Sequence, residues 1–183
     1  MLIDPRQTTL LVVDIQEKLI DAMTDPAGMR ARARWLLAVC SALEVPTVVS
    51  EQYPKGLGHT LAELMEAAPS ATVVEKQHFS CVAADCLPAT VLAREQFIVC
   101  GMETHVCVLQ TVLGLRALDK QVFVVEDVCD SRSAANKAAG LARMRDAGAQ
   151  IVTREMVLFE LLGSASHPQF RQLSKTYLVG EQP

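Results

Sequence analysis

Three side chains of complementary chemistry stand at the ends of apolar runs in this chain: Asp14 after "TLLVV", Lys76 after "TVVE", and Cys107 inside "FIVCGMETHVCVLQTVLGL" (97–115). A thiol becomes a good nucleophile on ionising, and thiolates are favoured near a helix N-terminus, where unpaired N–H groups and the helix dipole present positive charge. Cys107 lies about one turn into a helix expected to start near Thr104. Asp14 has the chemistry to accept the thiol proton and return it to a leaving group, while Lys76 would hold the carboxylate and favour the thiolate. The backbone N–H groups of Glu103 and Cys107, in the same turn, are candidates to bind a developing oxyanion. Each residue taken alone has a structural alternative: Asp14 as cap of a short helix near Gln16, Lys76 as a solvated lysine, Cys107 as a small core residue. Only convergence on one rim makes them a site.

Convergence requires a fold that brings strand ends together. Six short, β-branched, apolar runs recur along the chain: "TLLVVD" from Thr9, "PTVVS" from Pro46, "ATVVE" from Ala71, "QFIVC" from Gln96, "QVFVVE" from Gln121 and "AQIVT" from Ala149. Such runs suit strands buried on both faces of a parallel sheet. Helical patterns separate them. "MRARARWLLAVCSALEV" carries an apolar stripe through Trp35, Leu36, Val39 and Leu43 with arginines opposite, and "SAANKAAGLARMRDAGA" ends at Gly148, a C-cap residue. The alternation predicts a three-layer α/β/α domain, a doubly wound six-stranded and mainly parallel sheet, over residues 1–183 as one unit. "HPQFRQLSKTYLVGEQP" is expected to form a last helix and a fraying tail. Ligands of such sheets bind beyond the carboxyl ends of the strands, where Asp14, Glu51, Gln52, Lys76 and the 101–107 turn all fall.

Composition narrows the function classes. With 183 residues, 50% of them hydrophobic and a formal net charge of −4, the chain has ample core material and no basic face for nucleic acid. No run approaches the length of a membrane span, and the N-terminus lacks the basic start of a signal peptide. Six cysteines without the dense spacing of a disulfide scaffold suit reduced thiols in a cytoplasmic protein.

The motifs "LLVVDIQEKL", "VVEKQHFS" and "VCGMETHVCVLQTVLGL" resemble, in order and interval, the isochorismatase-like cysteine hydrolase superfamily, which includes nicotinamidases, carbamoylsarcosine amidohydrolase-type enzymes and isochorismatases. The similarity runs from about Pro5 to Tyr177, and "SEQYPKGLGHT", "DSRS", "LARMRDAGA" and "HPQF" bring it nearest the isochorismatase domain-containing subgroup. The resemblance implies an Asp14, Lys76, Cys107 triad, a cis peptide between Met102 and Glu103 that turns the Glu103 N–H toward the oxyanion, and assembly into dimers or larger homo-oligomers. It also implies no cofactor. Nicotinamidases of that superfamily bind a metal through an Asp-x-His pair and a further His, whereas this chain has Glu51, Gln52, Tyr53 and His59 there, so metal-independent chemistry is expected. A retained cysteine, where siderophore-pathway isochorismatases carry a small non-nucleophilic residue, points toward C–N bonds of a small-molecule substrate.

The remaining candidates concern the pocket. "KGLGHT" (55–60) lacks a third glycine and a GK[ST], which excludes a phosphate cradle and leaves a flexible pocket loop. Tyr53 and Leu57 would supply apolar contacts and Glu51 or Gln52 polar selection, with Gln16, His78 and Phe79 completing the lining. His78, Cys81 and Cys86 lack a second well-spaced ligand pair for zinc. His105, two positions before Cys107, is expected to point away from it and to serve structure. The alternative to an enzyme is a ligand-binding or protein-interaction module on the same fold. A redox role would need a second cysteine beside Cys107, for which Cys100 is nearest in sequence.

Overall fold

The apolar runs become the strands of one sheet. The computed structural model of the chain describes residues 1–178. Strands β1 (Thr8–Val13), β2 (Thr47–Gln52), β3 (Thr72–Lys76), β4 (Gln96–Met102), β5 (Gln121–Asp130) and β6 (Gln150–Val152) lie in the order β3-β2-β1-β4-β5-β6. Every neighbouring pair is parallel. The strand order reverses direction between β1 and β4, the switch point at which doubly wound sheets open a crevice.

Alternation along each strand divides the core in two. Leu10 and Val12 of β1, with Ile98 and Cys100 of β4, face one layer, while Leu11, Val13, Phe97 and Val99 face the other. The first layer contains α2 (Pro26–Ala42), α4 (Ala62–Ala67), α8 (Arg154–Leu162) and α9 (Phe170–Tyr177). The second contains α5 (Ala89–Leu92), α6 (Leu109–Ala117) and α7 (Ala134–Asp146). Two short helices, α1 (Glu17–Ile20) and α3 (Pro54–Leu57), lie at the carboxyl end of the sheet. The sequence signals act where expected: Asp25 caps α2 by accepting from the Gly28 N–H at 3.0 Å, and Ser133 caps α7 by accepting from Asn136. Gly148 closes α7 with φ +85°.

Three features depart from the sequence reading. β5 continues four residues past Glu126 to Asp130, because pairing with β4 resumes after a register shift at Val99/Gly101, with Met102 opposite Asp130. The polar Glu126–Asp127 step hid that extension. Residues 55–60 are not all loop: Pro54–Leu57 forms α3, and Thr60 bridges Gln16. The helix after β4 opens with a π-helical turn, Thr104–Val108, before α6 proper. The tail beyond Leu178 lies outside the described residues.

Candidate active site

Asp14 is the first residue beyond β1 and takes φ +55°, a conformation that Asp tolerates better than most residues. The turn directs its carboxylate across the sheet toward β2 and β3 rather than onto α1, so it does not cap that helix. Ser50 Oγ donates to Asp14 Oδ1 at 2.7 Å, and Lys76 Nζ donates to Asp14 Oδ2 at 2.6 Å. Neither Asp14 nor Lys76 exposes any side-chain surface. Lys76 also donates to Gln52 Oε1 at 2.8 Å, and the two residues are register partners on β3 and β2. A buried ion pair is expensive to desolvate and persists only when its remaining polar valences are met. Ser50 and Gln52 meet them.

Cys107 completes the arrangement from β4. Gly101, at φ +137°, is required for the approach: a Cβ there would fall 2.1 Å from the Val13 carbonyl oxygen of β1. The chain then passes through a cis Met102–Glu103 peptide into the π-helical turn, where the Cys107 thiol faces the Asp14 carboxylate and interacts with it. Burial pushes Asp14 above the usual carboxylate range, against the opposing pull of Lys76, Ser50 and Cys107. Burial, and after it the Asp14 charge, pushes the Cys107 thiol well above its ordinary value, with Lys76 pulling the other way. Lys76 acts in the expected direction on the thiol, and burial opposes it. Burial disfavours the charged form of the thiol and raises the proton affinity of the carboxylate it faces.

Cys107 forms part of the wall of a cavity of about 350 Å³. Leu19, Met23, Leu57, Phe79 and Val106 make the surface largely apolar, and Gln52, Glu103 and Arg132 supply the other polar groups. Of the expected lining, Gln52, Leu57 and Phe79 are present; Asp14 and Lys76 lie behind Cys107 and Gln52. Gln16 is absent because it is consumed as a strut: its side chain donates to the Gln52 and Gly58 carbonyls and accepts from the Gln52 N–H. Glu51 is turned away and binds the Thr60 N–H at 2.7 Å and His59 Nδ1 at 2.9 Å. Tyr53 and His78 are exposed outside the lining. His105 Nδ1 meets Ser131 Oγ at 3.1 Å, a structural contact away from the thiol. Among the described residues no cluster of three His, Cys, Asp or Glu side chains could hold a metal ion.

Sequence reasoning missed Ser50 and Arg132. Ser50 lies opposite Val13 in the β1–β2 register, one residue short of Asp14, which only the sheet reveals. Arg132 donates through Nε and Nη2 to both carboxylate oxygens of Glu103, the Nη2 contact being 3.1 Å. Its signal was the "DSRS" stretch, which begins on Asp130, the last residue of β5.

The matching family model is the isochorismatase domain, over residues 8–156. The chain belongs to the isochorismatase family of hydrolases. Isochorismatase domain-containing protein 2 of Bos taurus is 40% identical over 174 residues, covering 93% of this chain and 83% of the bovine one. The solved structure of MAR1 ribonuclease from Caenorhabditis elegans superposes with a TM-score of 0.92 at 34% identity, covering 100% of this chain and 95% of that one. The YcaC gene product of Escherichia coli, described as an octameric hydrolase of unknown specificity, shares the fold with a TM-score of 0.87 at 22% identity, over 98% and 92% of the two chains. The family extends through the strands and turns that carry Asp14, Lys76 and Cys107. Among the described residues no helix is long and apolar enough to cross a membrane.

Proposed function

We propose that this isochorismatase-family hydrolase is a metal-independent cysteine hydrolase of small amide-type or related carbonyl substrates, acting through a Cys107 thioester on a single domain. One observation carries the proposal: a fully buried Asp14–Lys76 pair lies behind a thiol that forms part of the wall of a small apolar cavity. In this mechanism the Cys107 thiol gives its proton to Asp14 as sulfur bonds to the substrate carbonyl carbon. The N–H groups of Glu103 and Cys107 receive the developing oxyanion. Asp14 passes the proton to the leaving nitrogen, the C–N bond breaks, and Asp14 then activates the water that cleaves the thioester. Lys76 stays bound to Asp14 and limits the charge that accumulates in the buried site.

The apolar lining suits an uncharged acyl group. RNA is not proposed as a substrate: the chain carries net charge −4, and the one arginine in the cavity wall is paired with Glu103. Self-assembly into a dimer or larger oligomer is part of the proposal, supported by the exposed Met156 and Phe159 of α8 and by the octamer described for the E. coli protein. Six free cysteines support a cytoplasmic setting.

The test is intact-mass spectrometry of the wild type and of Cys107→Ala during turnover of a panel of small aliphatic and aromatic amides, esters and a short RNA. An acyl adduct confined to Cys107, with release of amine or ammonia that Cys107→Ala abolishes, is expected. A fully active Cys107→Ala protein would sink the mechanism. Tight binding of a panel member with no adduct and no product would instead favour the ligand-binding module.

A further inference from the structure

A pair of thiols lies in the same layer as the triad's cysteine, and the hydrolase reading makes no use of it. Cys100, the nearest cysteine to Cys107 in sequence, is of no help to redox chemistry there, because it is buried in β4 on the opposite face of the sheet. Cys81 shares the layer of Cys107 instead. It begins the turn after β3, five residues past Lys76, and its N–H donates to Thr111 Oγ1 at 3.1 Å. Thr111 is one helical turn beyond Cys107, so this bond docks the turn onto the helix that carries the nucleophile.

Cys86 folds back on Cys81. Its N–H and its Sγ each approach the Cys81 carbonyl oxygen at 3.4 Å, and the two thiols lie within hydrogen-bonding reach of each other. Cys81 is fully buried, whereas Cys86 is partly exposed and gives the pair a face toward solvent. The Cys86 thiol, with Ser50 and Lys76 assisting, draws the Cys81 thiol below its ordinary value against the effect of burial. Cys107 is pushed the other way by burial and by Asp14. The pair therefore sets a thiol whose neighbours favour ionisation beside a second, partly exposed thiol, and Cys107 has no such partner thiol in the same turn.

We propose that Cys81 and Cys86 form a modification site at which a hydroperoxide makes an intramolecular disulfide while leaving Cys107 reduced. Having released its proton to solvent, the Cys81 thiolate attacks hydrogen peroxide. The S–O bond forms, the O–O bond breaks, and the departing hydroxide takes the Cys86 proton to become water. The Cys86 thiolate then attacks the Cys81 sulfenic sulfur, forming the S–S bond and expelling a second hydroxide. That hydroxide is neutralised by the proton Cys81 released at the start. The sum is two thiols and one peroxide giving one disulfide and two waters, a two-electron oxidation of sulfur matched by reduction of the peroxide.

The experiment exposes the reduced full-length chain to limiting hydrogen peroxide, quenches with catalase, alkylates the remaining thiols, and measures intact mass and peptide maps. Wild type, Cys107→Ala and Cys86→Ser are compared. The expected result is a mass loss of two hydrogens, one bridged Cys81–Cys86 peptide, loss of both thiols roughly tenfold faster than loss of Cys107, and reversal by dithiothreitol. Cys107→Ala should behave like the wild type, and Cys86→Ser should lose the bridge. First oxidation at Cys107, a Cys81–Cys107 bridge, or persistence of all six alkylatable thiols at doses that oxidise a free cysteine peptide would each overturn the proposal. Should Cys86→Ser fail to fold, the peptide map of Cys107→Ala decides alone. The readout is independent of turnover, so failure of the hydrolase reading leaves the test intact.

Discussion

Asp14 and Asp130 are the same residue type, both buried, at the carboxyl ends of β1 and β5 on one rim of one sheet, yet their partners differ in kind. Asp130 accepts from Thr24 Oγ1 at 2.5 Å, the Asp25 N–H at 2.9 Å and the Ser131 N–H at 2.8 Å. Its own carbonyl accepts from Thr104 Oγ1 at 2.8 Å. These are fixed donors, two of them backbone, and they tie the end of β5 to the start of α2 and to the nucleophile turn. Asp14 has one hydroxyl, one lysine and a thiol that can give up its proton. A carboxylate saturated by immobile donors is a structural tie, and in the proposed mechanism one that faces a thiol is the base. The partners decide the role.

The largest expected effect falls on the Asp14 side. Asp14→Asn should lower kcat/KM on any substrate of the screen by about a hundred- to ten-thousandfold, since proton transfer by a positioned group contributes that much. The pH profile sharpens this. Asp14 must be ionised to take the thiol proton, and burial raises its pKa, so activity should fall as pH drops through a value above the usual carboxylate range. An acid limb at the ordinary carboxylate position would contradict the desolvated base.

Lys76→Met leaves a buried carboxylate without its cation, and chemical denaturation should show a loss of about 3–5 kcal/mol. Combined with Asp14→Leu, the same substitution should return stability to that of the wild type or above it while the protein remains inactive, because an apolar pair avoids the desolvation penalty. A double variant as unstable as the single would show that the pair stabilises the fold as well as serving the chemistry.

Asp130→Ala should cost about 2–3 kcal/mol by leaving buried donors unpaired. Its effect on kcat/KM should be far smaller than that of Asp14→Asn, and a reversal of that order would break the comparison. The smallest effect is expected for Arg132→Ala. Its side chain is 62% exposed, so water screens its pairing with Glu103 and little stability rests on it. Thermal unfolding should barely move.

Much of the fold was legible because it rests on local pattern. Runs such as "TLLVVD" and "QFIVC" are apolar at consecutive positions, and only a strand covered on both faces can bury them. β5 was read short since Glu126 and Asp127 interrupt the apolar run, and what carries the strand past them is pairing with β4. The stretch 55–60 was read as a loop, whereas it is held to Gln16, about forty residues upstream in sequence and adjacent in space. Lys76 alone resembled a surface lysine, and nothing local announces that its side chain is fully buried.

By itself the sequence determined the residue types, the strand and helix periods and the placement of Asp14, Lys76 and Cys107 at strand ends, since these depend on neighbours a few positions away. Tertiary structure decided which carboxylate faces a thiol, which thiol faces a second one, and which groups lose their water. Those outcomes depend on strand order, register and burial, and charge state follows desolvation and through-space partners rather than neighbours along the chain.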